Sequence, residues 1–298
     1  MPKRCGFVTV LGVPNVGKST LTNQLVGSKV SIVSPKVQTT RRRVLGITIK
    51  DESQVILIDT PGIFEPKKRL DRAMVSAAWG ATSETDLILV MADASYHRQE
   101  KTIDILEKSL KKPEIPLFLV INKIDLVPRD QLLALIARLT EKRKIDRVFL
   151  VSAHRGDGIQ DLLQALANQM PEGPWLFPED QLTDMPLRLL AAEITREKIF
   201  CSLHQEVPYG INVETEAWEE FKNGSVKISQ VIHVQKPGQK AILLGKGGHT
   251  IKYIRETAAL DLGNMLERPV HLFLHVKISE NWAEQRDHYT DLGLDYNA

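Results

Sequence analysis

The stretch Gly12-Val13-Pro14-Asn15-Val16-Gly17-Lys18-Ser19 decides the fold of the first half of this 298-residue chain. It is a complete G-x-x-x-x-G-K-S loop that lies between an apolar run at 7–11 and a helical pattern at 19–25. Backbone N–H groups of such a loop converge on a phosphate, and the helix that follows adds the positive end of its dipole. The strand–loop–helix context therefore predicts an α/β domain that binds a nucleotide.

Within this loop, the expected role of each residue follows from its chemistry. Lys18 would reach the β- and γ-phosphates, and Ser19 would coordinate Mg²⁺. Val16, Gly17 and Thr20 complete the residues expected along the phosphates. The alternative is a glycine-rich turn that binds nothing, and the motifs further along the chain argue against it.

Asn122-Lys123-Ile124-Asp125 predicts which base is bound. It follows an apolar run at 117–121, so it lies at the carboxyl end of a strand, where α/β sheets bind ligands. Asp125 can accept two hydrogen bonds from N1 and N2 of guanine, which favours GTP over ATP by about 3 kcal/mol. The stem of Lys123 can cover one face of the base, and the backbone N–H groups of Ser152 and Ala153 are predicted to donate to guanine O6.

Two further segments are expected to sense the γ-phosphate. Asp59, which ends an apolar run at 55–58, would hold Mg²⁺ through water, and the Gly62 N–H would contact the γ-phosphate. One hydroxyl of Thr39 and Thr40 should complete the Mg²⁺ shell, and we favour Thr40; the alternative is that both are solvated loop residues. Loss of the γ-phosphate would release both segments, as in GTPase switches.

Hydrolysis is expected to be slow without a stimulating partner. Ras-like GTPases carry a water-orienting glutamine where this chain has Ile63, and a hydrocarbon cannot position water. Asn15 resembles the residue that helps cation-dependent GTPases to bind K⁺ beside the phosphates; the alternative is that it only caps the turn. The residues expected to act in catalysis are Asn15, Lys18, Thr40 and Gly62.

The composition allows two domains and limits the kinds of partner. The net charge is +2, divided into +6 for residues 1–179 and −4 for residues 180–298, so any nucleic-acid site must be local. No apolar segment approaches the ~20 residues that span a bilayer, and we expect neither a signal peptide nor a membrane span.

Strands and helices are predicted to alternate as far as residue 170, which indicates a mostly parallel six-stranded sheet with helices on both faces. The hydrophobic patterns place strands at 5–12, 44–50, 53–59, 86–92, 116–122 and 147–151, and helices near 18–27, 70–83, 99–111, 129–143 and 158–169. Residues 51–54 are too few for a crossover, so the second and third strands must form an antiparallel hairpin. The expected domains are 1–171, an aromatic linker at 172–183 pinned to a surface, and 184–298.

The second domain is predicted to bind single-stranded RNA. A helix at 184–205, with Leu187, Leu190, Ile194, Ile199 and Leu203 facing inward, precedes strands near 210–219 and 226–235, a helix ending near 266 and a strand at 270–278. A G-x-x-G loop lies between a short apolar helix and the longer helix that ends near 266. This is the arrangement of a KH domain, where such a loop clamps the backbone of four nucleotides. The expected RNA-binding residues are Lys236, Lys240, Gly245, Lys246, Gly247, Gly248, Lys252 and Arg255. The alternative is a helix–turn–helix packing module with a solvated basic face.

These motifs together resemble the Era GTPases over nearly the whole chain. The resemblance rests on the nucleotide motifs at 12–19, 38–41, 59–62 and 122–125, on residues 177–184, and on the KH-like segments at 191–198, 207–209 and 242–248. It implies a P-loop GTPase domain followed by an α+β type II KH domain, with GTP or GDP and Mg²⁺ as cofactors and K⁺ as a candidate activator. It also implies a cytoplasmic protein, sometimes peripheral at the inner membrane, that binds the 3′ end of small-subunit ribosomal RNA and assists assembly of that subunit. A monomer is expected.

Residue chemistry alone leaves other functions open. One is a signalling GTPase whose terminal domain binds a protein or a membrane. Another is a GTPase within a complex that modifies nucleic acid, although residues 180–298 show no catalytic constellation of Cys, His or acidic residues.

Overall fold

The structure is a computed structural model that describes residues 2–36, 39–96, 99–112, 114–141, 143–203, 210–279, 286, 289 and 292–298. Its contacts divide the chain into two compact units. The first unit comprises Met1–Val33, Thr40–Asp184 and Leu292–Ala298, and the second comprises Ser34–Thr39 and Met185–Asp291. The fold class predicted from the sequence is confirmed in each unit.

The first unit is built on a six-stranded sheet whose strands end at the predicted motifs. The strands are β1 (Arg4–Gly12), β2 (Val44–Lys50), β3 (Ser53–Asp59), β4 (Leu87–Asp93), β5 (Leu117–Asn122) and β6 (Arg147–Leu150). Their order is β2-β3-β1-β4-β5-β6, and only β2 is antiparallel to its neighbour. Lys50 pairs with Ser53, so the predicted hairpin is confirmed with a two-residue turn.

Helices cover both faces of this sheet, as predicted. They are α1 (Lys18–Val26), α2 (Arg69–Gly80), α3 (Glu100–Ser109), α4 (Arg129–Thr140) and α5 (Ile159–Gln169). One buried cluster joins the sheet to Leu21 of α1 and Leu162 of α5, and another joins it to Leu106 of α3 and Leu132 of α4. The central strands β4 and β5 are buried along almost their whole length, as expected for continuous apolar runs covered on both faces.

The aromatic segment after α5 is pinned to the edge of the sheet. Gln54 accepts hydrogen bonds at Oε1 from the N–H groups of Leu176 (2.9 Å) and Phe177 (3.1 Å), and its Nε2 donates to the Phe177 carbonyl at 2.8 Å. The rings of Trp175 and Phe177 pack against the buried Ile56 cluster. The hydrogen bonds of the Gln54 side-chain amide and the apolar burial of the two rings therefore hold this segment within the first unit.

The second unit has the element order of a KH domain. It contains α6 (Leu187–Ser202), β7 (Ile211–Glu220), β8 (Val226–Val234), α7 (Pro237–Leu244), α8 (His249–Leu266) and β9 (Val270–Ile278). β8 is antiparallel to β7 and parallel to β9. The three helices and the sheet share a core that includes Ile199, Ile232, Leu243, Ile254 and Val276. Residues 204–209 lie outside the described part of the chain, and with them the end of the helix predicted at 184–205 and the KH-like segment at 207–209.

The inner faces of α6 and β8 differ from simple apolar patterns at one residue each. The prediction that Leu187 faces inward is wrong: α6 begins at Leu187, and this residue is 51% exposed. Gln230 continues the inner face of β8 as a buried amide, and it is satisfied by Thr195, whose hydroxyl donates to Oε1 at 2.6 Å. A polar side chain can therefore continue an apolar face when its partner lies on the covering helix.

Candidate functional site

The phosphate-binding loop joins β1 to α1 in the predicted position. Gly17 has φ 101°, a left-handed conformation that favours glycine. A Cβ at Gly17 would lie 2.3 Å from Nδ2 of Asn122, so the loop has room only for a glycine there. A Cβ at Gly62 would lie 2.8 Å from Pro14, and the Ile63 N–H donates to the Gly12 carbonyl at 3.0 Å. The start of the second predicted switch therefore packs directly against the loop.

Lys18 is folded over the loop that it is expected to serve. Its Nζ donates to the carbonyl oxygens of Gly12 (3.2 Å) and Val13 (3.1 Å), and the side chain is buried. Burial lowers the pKa of this ammonium to about 8, and the nearby Asp59 carboxylate offsets only part of that effect. The charge is thus held in a poorly solvated position, where a phosphate would be a stronger partner than carbonyl oxygens.

The three predicted metal ligands meet in space. The Ser19 hydroxyl donates to Asp59 Oδ2 at 2.7 Å, and the oxygen atoms of Ser19 and Thr40 are 2.8 Å apart. Burial raises the pKa of Asp59, although bonds with Ser19 and the charge of Lys18 act in the opposite direction. Three segments far apart in sequence therefore place oxygen atoms at one point beside the phosphate loop.

This oxygen cluster fits a magnesium ion. Carboxylate and hydroxyl oxygens are the hard ligands that Mg²⁺ prefers. Asp59 Oδ1 is buried and accepts no hydrogen bond from any residue in the described ranges, so one carboxylate oxygen remains available to a cation or its water. When bound, the ion would neutralise negative charge that develops on the phosphate oxygens. Ser19, Thr40 and Asp59 are the residues that would hold it.

Thr39 lies near this cluster in sequence but not in its contacts. Its hydroxyl donates to the Lys36 carbonyl at 2.7 Å and lies 2.6 Å from the Ser34 hydroxyl. Its carbonyl accepts a hydrogen bond from Arg196 at 2.6 Å, within the second unit. Of the two threonines, only Thr40 is brought to Ser19.

Asn122 connects the predicted base-binding motif to the phosphate loop. Its Nδ2 donates to the Val16 carbonyl at 2.8 Å, and its Oδ1 accepts the Ala153 N–H at 2.9 Å. The Lys123 ammonium also reaches the loop and donates to the Asn15 carbonyl at 2.8 Å. One asparagine therefore fixes three loops relative to one another, whereas the sequence alone only placed it beside the base.

The environment of Asp125 suits a carboxylate that must stay ionised. A hydrogen bond with Ser152 is the main cause that lowers its pKa, and the charge of Arg155 acts in the same direction. The backbone N–H groups predicted to reach guanine O6 are used within the protein: Ser152 donates to the Asp157 carbonyl at 3.1 Å, and Ala153 to Asn122. Donation by these two N–H groups to guanine O6 stays a prediction.

Sequence reasoning missed Asp93, the last residue of β4. Its Oδ2 lies 2.6 Å from the Lys123 ammonium. The only available signal was an acidic residue at the carboxyl end of an apolar run, which does not by itself identify a partner.

The predicted RNA loop adopts a backbone that requires its glycines. Gly245, Gly247 and Gly248 have φ of 72°, 62° and 79°. A Cβ at Gly245 would lie 2.2 Å from the Thr250 hydroxyl, whereas a Cβ at Gly247 would make only an ordinary van der Waals contact with His249, at 3.7 Å. The loop thus presents bare backbone at the start of α8, as phosphate clamping requires.

The basic residues around this loop are accessible. Lys236, Lys246, Lys252 and Arg255 are exposed, and Lys240 is half-buried. Arg255 lies 3.4 Å from Glu256, and both side chains are largely exposed, so this pair is weak. The loop therefore keeps its positive charge available.

Comparison with known proteins identifies both units. A family model described as 50S ribosome-binding GTPase matches residues 7–123, and a KH domain model matches residues 206–283. The chain is 54% identical to GTPase Era of Afipia carboxidovorans, over 99% of this chain and 96% of the relative. It is 52% identical to GTPase Era of Sinorhizobium medicae, over 99% and 95%.

The chain belongs to the Era family of GTPases. This Era GTPase therefore hydrolyses GTP to GDP and phosphate, and its cofactor is Mg²⁺. The family predicted from its motifs is confirmed.

Two solved Era structures share its fold along the whole chain. One holds MgGDPNP and nucleotides 1506–1542 of 16S ribosomal RNA; its TM-score is 0.91 at 40% identity, over 98% of this chain and 99% of that one. The other is an Aquifex aeolicus Era variant bound to GDP·AlF4⁻, with a TM-score of 0.92 at 40% identity, over 97% and 99%.

Proposed function

We propose that this Era GTPase binds the 3′ end of small-subunit ribosomal RNA through its KH unit and assists assembly of that subunit. The observation that carries the proposal is the GxxG loop, whose three glycines have positive φ and which lies among four exposed cations in the sequence. The Era structure solved with nucleotides 1506–1542 of 16S ribosomal RNA, at 40% identity, supports this choice of RNA.

The nucleotide site takes the following roles in this proposal. Lys18 and the N–H groups of Asn15, Val16, Gly17, Ser19 and Thr20 bind the phosphates, and Gly62 contacts the γ-phosphate. Ser19, Thr40 and Asp59 hold Mg²⁺. Asn122, Lys123, Asp125, Ser152 and Ala153 form the base side of the site. Thr39 contributes to the nucleotide site through its backbone and not through its hydroxyl, because the hydroxyl is bonded to Ser34 and Lys36.

Hydrolysis is proposed to depend on an activator. Ile63 packs against apolar neighbours in the first unit and offers no group that could orient water. RNA and K⁺ are the candidate activators, with Asn15 as a K⁺ ligand; its φ of 62° makes it a turn residue in either case. We further propose a cytoplasmic monomer with peripheral association at the membrane. Within the described residues, none of the helices is long and apolar enough to cross a bilayer.

Binding of a 3′-end RNA and of a scrambled RNA of the same length tests the proposal. The full chain should bind the matching RNA more tightly, and its affinity should fall with rising salt. Each phosphate contact on a single strand contributes about −0.7 to the slope of log affinity against log salt. Replacing both Lys246 and Lys252 by Ala should therefore make this slope less negative by about 1.4. Equal affinity for both RNAs, with an unchanged slope in the double variant, would favour a protein partner instead.

A further inference from the structure

Asp93 and Lys123 are brought together by the register of two neighbouring strands. In the parallel pair of β4 and β5, Asp93 lies opposite Asn122, so the residue after Asn122 emerges beside the Asp93 side chain. Asp93 Oδ2 and Lys123 Nζ are 2.6 Å apart, and their side chains are 14% and 31% exposed. This pair is therefore better shielded than the ion pairs at the surface of the unit, such as Arg138 with Glu100 at 47% and 67%.

The rest of the Asp93 carboxylate is also fixed. Its Oδ1 accepts hydrogen bonds from the Ser95 N–H (2.9 Å) and the Ser95 hydroxyl (2.6 Å). This local turn sets the orientation of the carboxylate before it meets Lys123. The two oxygens of this carboxylate therefore have different partners: Oδ1 accepts hydrogen bonds from Ser95, and Oδ2 contacts Lys123.

Lys123 connects the fixed Asp93 carboxylate to the phosphate loop. Its ammonium donates to the Asn15 carbonyl at 2.8 Å while it contacts Asp93. The backbone of Lys123 has φ 64°, so the residue leaves β5 in an unusual direction that carries its stem across toward the loop. A free lysine side chain has many rotamers, and contacts at both sides of the ammonium remove them before a ligand arrives.

We infer that Asp93 is a positioning residue for the guanine nucleotide. It holds the Lys123 ammonium against the Asn15 carbonyl, so that the lysine stem is ordered along the base side of the site. This inference rests on the proposed role of Lys123 in base binding. The end of β4 is thereby one of the strand ends that form the nucleotide site. As a positioning residue, Asp93 is expected to change the rate of nucleotide release only through Lys123.

The release rate of a fluorescent GDP from the full chain tests this inference. Asp93→Asn keeps an acceptor for the Ser95 turn and removes the charge, and it should speed release about fivefold, as expected for loss of a partly shielded pair. Asp93→Glu should restore part of the effect. Glu100→Gln, which removes an exposed ion pair of the same unit, is the matched control and should leave release unchanged.

A second background separates positioning from a general structural role. Lys123→Met keeps an apolar stem and removes the ammonium, so Asp93→Asn should cause no further acceleration in that background. If release is too fast to follow there, competition against unlabelled GDP at equilibrium gives the same comparison. Equal acceleration in both backgrounds, or none in either, would overturn the inference. Failure of the unaltered chain to bind GDP would instead overturn the nucleotide site itself.

Discussion

The Thr40 hydroxyl lies 2.8 Å from the Ser19 hydroxyl, although 21 residues separate them in sequence. Ser19 also donates to Asp59, so a loop, a switch segment and the end of β3 share one hydrogen-bond network. The fold therefore brings the three proposed metal ligands together, and this arrangement costs free energy because it buries the Asp59 carboxylate.

Asp59→Asn should stabilise the nucleotide-free protein at neutral pH. Burial raises the pKa of Asp59 above its unfolded value, so its contribution to stability is present at low pH and is lost as the pH rises through the folded pKa. Removing the charge should raise the free energy of unfolding by about 1 kcal/mol at pH 7. Denaturant unfolding at pH 7 measures this, and the gain should shrink toward acidic pH.

The same variant should lose the effect of Mg²⁺ on GDP affinity, because an amide is a poor ligand for this ion. Titrations with and without EDTA provide the comparison. A variant that is less stable than the parent, or that still responds fully to Mg²⁺, would contradict the assignment of Asp59.

GDP binding should take up protons near pH 8. The Lys18 pKa is about 8 in the free protein because of burial, and phosphate oxygens favour its charged form. The complex therefore holds more protons than the free protein above pH 8, and affinity should fall as the pH rises from 8 to 10. Calorimetry in two buffers of different ionisation enthalpy measures the uptake, and EDTA removes the contribution of Asp59 and its metal. Proton release in that range would refute this interpretation.

Gly17→Ala should abolish GDP binding because its Cβ would lie 2.3 Å from Asn122, whose amide holds the Val16 carbonyl. Gly27→Ala is the matched control at the other end of α1, where φ is 75° and nothing lies within 4 Å. Its cost should be limited to about 1–2 kcal/mol of stability from the left-handed backbone. GDP affinity and thermal unfolding of both variants check this, and similar GDP affinities would show that the crowding at Gly17 is unimportant.

Gly247→Asp should abolish RNA binding and spare GTP binding. Aspartate tolerates a left-handed backbone better than most residues, and a Cβ at Gly247 would meet no atom closer than 3.7 Å, so the main change is a carboxylate placed where phosphate is expected. Gly224→Asp, with φ 82° in the open turn between β7 and β8, adds the same charge to the same unit. RNA affinity measured for both should fall only for Gly247→Asp. Equal losses would indicate a general charge effect.

The sequence predicted those parts of the site that are local in the chain. The phosphate loop, the end of β3 and the GxxG loop each carry their chemistry within a few residues, and the short spacing at 51–54 required a hairpin. Contacts between distant segments were less accessible. The sequence favours Thr40 over Thr39, but only the structure shows Thr40 beside Ser19, 21 positions earlier.

The same limit explains the other differences. The hydrogen bond from the Ala153 N–H to Asn122 Oδ1 joins residues 31 positions apart, so sequence patterns do not reveal it. Asp93 meets Lys123 only because β4 and β5 are parallel in a particular register. Periodicity alone cannot locate the first turn of a helix, so it predicts an inward position for Leu187, with which α6 begins.

Single-turnover GTP hydrolysis tests the central claim most directly. It should be measured in KCl and in NaCl, each with a 3′-end small-subunit RNA, with a scrambled RNA and with none. The account predicts slow hydrolysis alone, stimulation by the matching RNA and not by the scrambled one, and no RNA effect in Gly247→Asp. A separate effect of K⁺ would support Asn15 as its ligand. Tight GTP binding with no response to the matching RNA would contradict the coupling of the two units and favour a protein partner.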